Sequence, residues 1–364
     1  MDALTRIEEL KKLKVSNNIN LNGNGKHENK FDTSKYRITS QSNIPDIQPI
    51  ITIAGSIFAI KGDISFVAGL PKAGKSAISS FMIATGLIQQ IPEHLDTLQI
   101  KTEYCFNKPI IYIDTEQPRA YTKKMIRTIS KLIGEKDIPS NFYIFNLREL
   151  KPEDKLNFIR QLFKDYSETH LWIIDGIADL VSDVNNTEIS NNLLHEFSAK
   201  SQELDTAMIL YLHENPGSNK MRGHLGSEAE RKCGGAINVV KYREKGYHEI
   251  QARMLRGSKD FEPVCFRYSE EFERMVSMDA NEIKTIQKES EEDKKNRLYQ
   301  VAQRCFLTST SLGASQLIRG LCLYGDPRKG EISESSAQKL RKDLLEYGII
   351  ENGEKRSYTF LTKK

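Results

Sequence analysis

Short apolar runs alternate with amphipathic segments along much of the chain. Runs long enough for buried strands, each nearly continuous in apolar residues, cover positions 64–68, 109–114, 142–145, 171–175 and 207–212. Between them, apolar residues recur at helical spacing in the segments 76–87, 154–165 and 189–204. Apolar strands that alternate with helices are typical of a parallel sheet with helices on both faces. The pattern therefore predicts an α/β domain.

The flanking segments predict further strands. Residues 50–60 are apolar and predict one or two strands ahead of the first run. Closely spaced segments with a more alternating pattern follow the last run, at 236–242, 247–255 and 263–268. Because alternation is typical of strands that expose one face, we expect antiparallel strands added at the edge of the sheet. The predicted domain extends from residue 49 to residue 278.

Residues 1–48 predict a short helix followed by a flexible linker. Positions 15–48 contain few apolar residues and many asparagines, serines and glycines. Residues 1–14 repeat apolar side chains on one helical face, at Leu4, Ile7, Leu10 and Leu13. A helix of this length is marginally stable alone, so its apolar face requires a partner. The linker would let the helix reach a neighbouring subunit. The alternative is a helix that packs on the protein's own body or is frayed in solution.

A linker and a second, small domain are predicted at the C-terminal end. Positions 279–296 are charged and lack core residues, which favours an interdomain linker with some helix. The apolar spacing that follows predicts three helices, the last of them capped by Ser333. Residues 349–360 then predict a β-hairpin with the Asn352–Gly353 pair at its turn. Three helices followed by a hairpin describe a winged helix-turn-helix domain over 297–364.

A complete phosphate-binding motif joins the first apolar run to the helix after it. Residues 69–76 read G-L-P-K-A-G-K-S and fit the G-x-x-x-x-G-K-[ST] loop, in which backbone N–H groups and a helix N-terminus surround phosphates. In this motif Lys75 reaches the β- and γ-phosphates and the Ser76 hydroxyl binds Mg²⁺. The alternative is an ordinary glycine-rich turn. We therefore expect a nucleoside triphosphate and Mg²⁺ as ligands, with nucleotide contacts from Gly69, Lys72, Ala73, Gly74, Lys75, Ser76 and Ala77.

Two acidic strand ends are candidates for the chemistry of hydrolysis. Asp175 closes the fourth run and precedes Gly176, as expected of a Walker B acid that helps Ser76 to hold Mg²⁺. Glu116 follows the second run, where ligands bind in open α/β sheets, and is predicted to be the base that deprotonates the attacking water. Asp114 is the rival candidate for this base. A cluster of helix-capping side chains is the alternative for the whole segment.

The fifth run leads into His213, which a glycine-rich basic loop follows. A polar group here can contact the γ-phosphate and relay its loss to the loop, although a lone histidine at a strand end is often a satisfied core residue. The loop 218–232 has few residues that can pack and several donors for phosphates. It therefore predicts DNA contacts from Lys220, Arg222, Arg231 and Lys232. A disordered, solvated loop is the alternative.

The order of these motifs resembles that of the RecA-like ATPases and, within them, the plasmid RepA-type and DnaB-type hexameric helicases. The resemblance covers about residues 49–270, with the phosphate loop, Asp-Thr-Glu at 114–116, Asp-Gly at 175–176, His-Glu at 213–214 and Arg-Gly-His-Leu-Gly-Ser at 222–227. It implies that Glu116 is the catalytic glutamate and His213 the switch residue. It also implies that residues 214–232 line a central channel for single-stranded DNA.

In that family ATP binds between subunits, and a basic pair from the neighbouring subunit completes the site. Arg256 and Lys259 follow the strand ending at Leu255 and are similar in place. The resemblance therefore implies that Arg256 is a finger acting in trans, with Lys259 supporting it. An ordinary solvated turn is the alternative. The resemblance also implies a homo-oligomer, with a hexamer as the expected ring.

Positive charge is concentrated towards the C-terminal end. The whole chain has 53 Lys and Arg against 49 Asp and Glu, whereas residues 293–364 have 14 against 8. This excess favours a nucleic-acid contact in the small domain, although a solvated surface explains such an excess nearly as often. The third helix fits a major groove and the wing a DNA backbone, through Lys339, Arg341, Lys342, Lys355 and Arg356. Winged helices also dock on proteins, which is the alternative.

Composition argues against several classes of protein. The five cysteines are scattered and form no C-x-x-C pair, which argues against a disulfide framework and a zinc ribbon. No segment has the apolar length of a membrane span, and the first residues do not predict a signal peptide. We therefore expect a cytoplasmic protein without a membrane partner.

The expected function is a Mg²⁺-ATP-dependent, ring-forming DNA motor, a replicative-type helicase in the replication or mobilisation of a plasmid or mobile element. One alternative is a non-unwinding ATPase, such as a RadA-like recombination factor or a helicase loader. Another alternative is a DNA-binding regulator that ATP switches. The ATP-binding residues are common to all three.

Overall fold

The computed structural model describes residues 32–215, 217–218, 220–325 and 331–361. The predicted helix over 1–14 lies outside the described residues, and the predicted linker 15–48 is described only from residue 32. The chain divides into two units, Met1–Asp46 and Ile47–Lys364. In the first, a 3₁₀ turn at Thr33–Tyr36 is capped by the side chain of Asp32, which accepts from the Ser34 N–H. The second unit contains the strands and helices that follow.

The elements of the second unit are numbered in chain order. The strands are β1 (Pro49–Ile53), β2 (Ser56–Ile60), β3 (Ile64–Gly69), β4 (Ile100–Thr102), β5 (Ile110–Asp114), β6 (Phe142–Asn146), β7 (Leu171–Asp175), β8 (Ala207–His213), β9 (Gly235–Tyr242), β10 (Tyr247–Leu255), β11 (Val264–Ser269), β12 (Arg274–Ser277), β13 (Ser311–Gly313), β14 (Ile350–Asn352) and β15 (Ser357–Phe360). The helices are α1 (Lys75–Leu87), α2 (Arg119–Ile133), α3 (Pro152–Asp165), α4 (Thr187–Glu203), α5 (Gly223–Lys232), α6 (Ala280–Cys305), α7 (Ala314–Tyr324) and α8 (Glu334–Glu346).

The largest sheet of the second unit has nine strands and is mostly parallel, in the order β12-β11-β10-β9-β3-β8-β7-β5-β6. The five predicted buried strands are confirmed, and they lie side by side as β3, β8, β7, β5 and β6, all parallel. The strands from 236 onward also exist, but the prediction that all three are antiparallel is wrong. β9 pairs parallel with β3, because helix α5 returns the chain to the end of the sheet at which β3 and β8 begin. β10, β11 and the unpredicted short β12 are antiparallel.

The sheet separates two hydrophobic cores, as expected for a sheet covered on both faces. Neighbouring side chains of β7 point to opposite faces, so that Ile173 packs in one core and Trp172 in the other. Helices α1 and α2 cover the first core with residues such as Phe81 and Ile129. Helices α3, α4 and α5 cover the second. Every side chain of β5 and β7 is buried, which fixes the positions of the polar residues at their ends.

The two strands within residues 50–60 belong to a separate sheet. β1 and β2 pair as an antiparallel hairpin, and β4 adds to the other edge of β1 to give the order β2-β1-β4. Ala54 and Gly55 both have positive φ angles at the hairpin turn, which permits a two-residue connection. This small sheet packs on the first core through Ile51 and Ile53.

One helix of 26 residues, α6, spans both the predicted linker and the predicted first helix of the small domain. It begins with a capping box between Asp279 and Glu282. Its C-terminal part packs with α7 and α8 around a third core that contains Leu298, Leu317 and Leu344. The helix prediction for this segment was therefore too short, because the charged residues 279–296 continue a helix that only later acquires a buried face.

Helices α7 and α8 confirm the other two helices predicted near the C-terminal end, and Ser333 caps α8 by accepting from the Ser336 N–H. The three short strands form a sheet in the order β13-β15-β14. The predicted two-residue Asn-Gly turn is wrong, since Asn352 pairs with Tyr358 and a 3₁₀ turn at Glu354–Arg356 makes the connection. Gly353 has extended backbone, and the positive φ falls on Arg356 instead.

Candidate active site

The residues singled out at strand ends meet at one edge of the central sheet. β3, β8, β7 and β5 are neighbours and parallel, so their carboxyl ends lie side by side. The register aligns Gly69 with His213 and Asp114 with Asp175. The phosphate loop begins at Gly69, and Glu116 follows Asp114 by two positions. The sheet therefore gathers residues that are far apart in sequence without any long loop.

The phosphate loop leaves β3 in a conformation that requires glycine. Gly69 has a φ of 151°, and a Cβ there would lie 2.5 Å from the carbonyl oxygen of Val239. Gly74 has a φ of 103° and is the N-cap of α1, where no side chain caps the helix. An uncapped helix N-terminus leaves backbone N–H groups for an anion. The loop thus has the local structure that the motif predicts.

Lys75 lies inside the loop with its ammonium fully engaged. Its Nζ donates to the carbonyl oxygens of Gly69, at 2.8 Å, and of Leu70, at 3.1 Å. The third partner is Nδ1 of His213, at 3.1 Å. Burial lowers the pKa of Lys75, while the carboxylates of Asp175, Glu116 and Glu214 oppose this shift.

A chain of polar groups connects α1 to the end of β7. The Ser76 hydroxyl donates to Asp175 Oδ2 at 2.9 Å, and Gln117 Nε2 donates to Ser76 Oγ at 2.8 Å. Tyr112, fully buried in β5, donates its hydroxyl to the same Asp175 oxygen at 2.7 Å. Burial raises the pKa of Asp175, and these hydrogen bonds oppose the shift. The hydroxyl and carboxylate oxygens of Ser76 and Asp175 are the hard ligands that fit Mg²⁺ with a nucleotide.

The two candidates for the base, Asp114 and Glu116, have different surroundings. Asp114 is buried, and its oxygens accept from the N–H groups of Glu116 and Gln117 and from the hydroxyl of Thr122. The capping alternative therefore applies to Asp114, which orders the turn into α2. Glu116, by contrast, has an exposed carboxylate that accepts from His213 Nε2 at 3.0 Å. Only Glu116 of this pair is accessible to a substrate.

His213 lies between Lys75 and Glu116 and contacts both. Because the ammonium of Lys75 donates to Nδ1, the ring carries its proton on Nε2 and donates it to Glu116. Both ring nitrogens thus bond to site residues, which is unlike a histidine satisfied within a core. The hydrogen bond from His213 is the main reason that the pKa of Glu116 is lowered, against the opposing effect of burial.

If Glu116 is the base that the sequence predicts, we expect the variant His213→Ala to shift the acid limb of the pH profile of ATP hydrolysis to higher pH. Without the hydrogen bond from His213, burial is the main remaining effect on Glu116 and raises its pKa. The protonated form of Glu116, which cannot act as the predicted base, would then persist to higher pH. The measurement is kcat/KM against pH, which reports the free enzyme. His195→Ala, an exposed histidine on helix α4 outside the site, is the control. An unchanged acid limb in His213→Ala would contradict this assignment.

The segment after β8 is folded, so the prediction of a loop over 218–232 is wrong for most of its length. A bridge between Glu214 and Met221 forms a small hairpin, and Arg222 N–H donates to the carbonyl of His213 at 2.9 Å. Residues 216 and 219 lie outside the described residues. Helix α5 follows, with Leu225 buried and Gly226 packed where a Cβ would lie 2.4 Å from the backbone of Met221. The glycines that suggested a loop instead permit this close packing.

The four basic residues predicted to contact DNA in this segment have different surroundings. Lys220 and Arg222 are exposed on the hairpin. Arg231 pairs with Glu228 one turn earlier on α5. Lys232 donates to the carbonyl of Asn191 at 3.4 Å. Lys220 and Arg222 on the hairpin are therefore more available to a ligand than Arg231 and Lys232 on α5.

An ion-pair network that the sequence did not reveal lies under the hairpin. Arg253 of β10 donates to Glu214 at 3.1 Å and to Asn238 at 3.1 Å, and also pairs with Glu230 of α5. The side chains of Arg253 and Glu214 lie largely out of solvent, whereas that of Glu230 is about a third exposed. Since Glu214 follows His213 directly, the network connects the end of β8 to helix α5.

Arg256 and Lys259 lie away from the phosphate loop of their own chain. Leu255 pairs with Gly235, and Gly235 pairs with Ser65 near the start of β3. Arg256 is therefore at the opposite edge of the sheet, on the order of 15 Å from the loop at about 3.3 Å per strand residue. Both basic side chains are exposed. A role in trans, as the resemblance implies, stays a prediction.

The basic residues of the small domain are only partly available. Lys339 and Lys342 are exposed on α8, and Arg356 is exposed beside the hairpin turn. Arg341 is not on this exposed face as predicted, because its guanidinium lies over the ring of Tyr358, 5.6 Å from the centroid, and is half-buried. The side chain of Lys355 lies outside the described residues.

A cavity of about 200 Å³ opens beside Ser76. Its apolar walls include Tyr121 and Met125 of α2, Tyr268 of β11 and Met275 of β12. No local pattern predicts this cavity, since α2 and the β11 and β12 strands are more than a hundred positions apart. Its position next to the phosphate loop suits the planar, apolar part of a ligand.

Comparisons with known proteins do not extend this picture: no family model matches the chain, and no curated protein matches it. Within the described part of the chain, no group of three or more His, Cys, Asp or Glu side chains is arranged to hold a metal ion. Across the same residues, no helix combines the length and the apolar character needed to cross a bilayer.

Proposed function

We propose that the protein is a Mg²⁺-dependent ATPase of the RecA-like type that works as a ring-forming motor on DNA. The observation that carries the proposal is the constellation of Lys75, Ser76, Asp175, Glu116 and His213 at one edge of a parallel sheet. This edge is where ligands bind in open α/β sheets.

In the proposed complex the phosphate loop holds the triphosphate, and the cavity between Tyr121 and Tyr268 takes the base. Lys75 exchanges the carbonyls of Gly69 and Leu70 for phosphate oxygens. Ser76 and Asp175 would hold Mg²⁺, which neutralises charge on the phosphates. The aromatic rings exclude water from the base and orient the nucleotide.

Hydrolysis is assigned to Glu116. Water attacks the γ-phosphorus as the bond to the β-γ bridging oxygen breaks, giving ADP and phosphate, and Glu116 accepts the proton of the water. Its lowered pKa keeps the carboxylate ionised at neutral pH. His213 contacts both Glu116 and Lys75, so a phosphate that draws Lys75 away changes the hydrogen bonds of His213.

The connection to DNA is proposed through the segment that follows His213. The hairpin with Lys220 and Arg222 would contact single-stranded DNA in the centre of a ring, and the Arg253 network supports its base. Arg256 from a neighbouring subunit would stabilise the charge of the transition state, with Lys259 assisting. Its position far from the site of its own chain supports action in trans.

The C-terminal part is proposed to be a winged helix-turn-helix that binds duplex DNA. Three helices around one core and a small antiparallel sheet support this. Lys339 and Lys342 on α8 would reach the groove, and Arg356 the backbone. Residues 1–14 are proposed to pack on a neighbouring subunit.

The test is ATP hydrolysis by the full chain with single-stranded DNA, with duplex DNA and without DNA. We expect stimulation by single-stranded DNA that is independent of sequence and weakens as salt rises. Mass photometry with nucleotide and DNA should show oligomers, and a monomer under these conditions would contradict the ring. A strand-displacement assay, with Lys75→Ala as the inactive control, separates a helicase from a non-unwinding ATPase.

A further inference from the structure

Lys155 is a buried cation behind the candidate active site. It lies in the first half of α3, and its side chain is only 8% exposed. Lysines usually extend their ammonium group to solvent, because an unpaired buried charge is costly. Here Nζ donates to the backbone carbonyl of Thr115 at 2.9 Å and lies 3.6 Å from Asp179 Oδ2. The buried ammonium of Lys155 therefore depends on the Thr115 carbonyl and the Asp179 carboxylate.

Thr115 connects the two strands that carry the candidate acid residues. It lies between Asp114 and Glu116, and its N–H donates to the carbonyl of Asp175 at 3.1 Å. Its hydroxyl lies 2.9 Å from the Asp175 carbonyl oxygen, 3.0 Å from that of Gly176 and 3.1 Å from Asp179 Oδ2. One hydroxyl proton serves one of these acceptors at a time.

Gly176 makes room for this contact. Its φ is 104°, and a Cβ there would lie 2.2 Å from the Thr115 hydroxyl oxygen. The backbone after Asp175 therefore lies directly against the side chain that precedes Glu116. We call Lys155, Asp179 and Thr115 the Lys155 cluster. This cluster packs against the contact from the face of the sheet opposite α1.

We propose that Lys155 is a positioning residue for hydrolysis, which fixes the Thr115 carbonyl and so aligns Glu116 with Asp175. The inference rests on the proposed function. Lys155 touches no reacting atom, and it acts through the backbone of Thr115. A displacement of about 1 Å at a reacting group costs on the order of 10²-fold in rate. The Lys155 cluster should therefore affect turnover far more than nucleotide binding, which depends on the phosphate loop and the cavity.

The test compares steady-state ATP hydrolysis by Lys155→Met and by Lys164→Met, an exposed lysine on the same helix. For Lys155→Met we expect kcat about 10- to 100-fold lower, with KM and the dissociation constant of a fluorescent ATP analogue within about threefold of wild type. Thr115→Val should lower kcat similarly, and combining both changes should cost little more than either alone. Lys164→Met should match wild type. Melting temperatures establish that each variant is folded under the assay conditions.

Each outcome decides between the hypotheses. A kcat for Lys155→Met within about twofold of wild type, or equal losses in kcat and in ATP affinity, would overturn the positioning role. If wild type hydrolyses ATP no faster than Glu116→Gln, the proposed function fails and the inference with it. If Glu116→Gln is inactive and Lys155→Met resembles wild type, only the positioning role fails.

Discussion

The variant Glu116→Gln should lose hydrolysis and keep ATP binding, with kcat lower by about 10²- to 10⁴-fold. The amide is close in shape to the carboxylate, and its oxygen can still accept from His213 Nε2. It cannot take a proton from water. Because Glu116 does not touch the phosphate loop, the affinity for ATP should stay near that of wild type. Phosphate release at saturating ATP measures the first effect, and equilibrium binding of ATP measures the second.

The matched control for this variant is Glu149→Gln, which makes the same change on an exposed glutamate paired with Arg119. It should leave kcat and affinity unchanged. If Glu116→Gln retained kcat within about tenfold of wild type, Glu116 would not be the general base. Asp114 would not replace it as the candidate, since its oxygens are already bonded in the turn before α2.

Lys75→Ala should remove both ATP binding and turnover, with kcat/KM lower by about 10²- to 10³-fold or more, as for other losses of a preorganised charged donor. Lys75 is the cation that the loop encloses, and its three present partners show that Nζ points inward from α1. In the variant, only the backbone of the loop would remain to contact the phosphates, and the positive charge of Lys75 would be lost. Titration calorimetry with ATP and steady-state kinetics check the two losses.

Lys136→Ala, an exposed lysine beyond the end of α2, is the control and should behave as wild type. A Lys75→Ala protein that binds ATP with wild-type affinity would show that the loop does not hold the triphosphate. Its melting temperature must be compared as well, because the change also leaves the carbonyls of Gly69 and Leu70 without their partner.

Much of the site could be predicted because each residue has a local signature. An apolar run that ends in a polar residue predicts a strand and the position of its carboxyl end, as at Asp175 and His213. Parallel pairing then brings such ends together without further information. The glycines of the phosphate loop can also be predicted locally, because Gly69 and Gly74 have the positive φ angles that the loop's own turns require.

The residues that sequence reasoning missed depend on distant partners. Tyr112 lies inside an apolar run and reads as core, although its hydroxyl bonds to Asp175. Lys155 and Arg253 read as ordinary surface charges on amphipathic elements. Only the packing of separate elements reveals that they are buried and paired. Helix α5 was missed for a different reason, because Gly226 weakens the helical signal and yet is required by the contact with Met221.

Helix α6 determines the direction in which the C-terminal helices face. Its 26 residues are about 39 Å long at 1.5 Å each. In a continuous helix, each residue added or removed turns everything beyond it by about 100°. The length of α6 therefore determines the orientation of the helices that follow it as well as their distance from its start. A change of one residue would point α8 in a different direction, whereas a change of seven, close to two full turns, would nearly restore it.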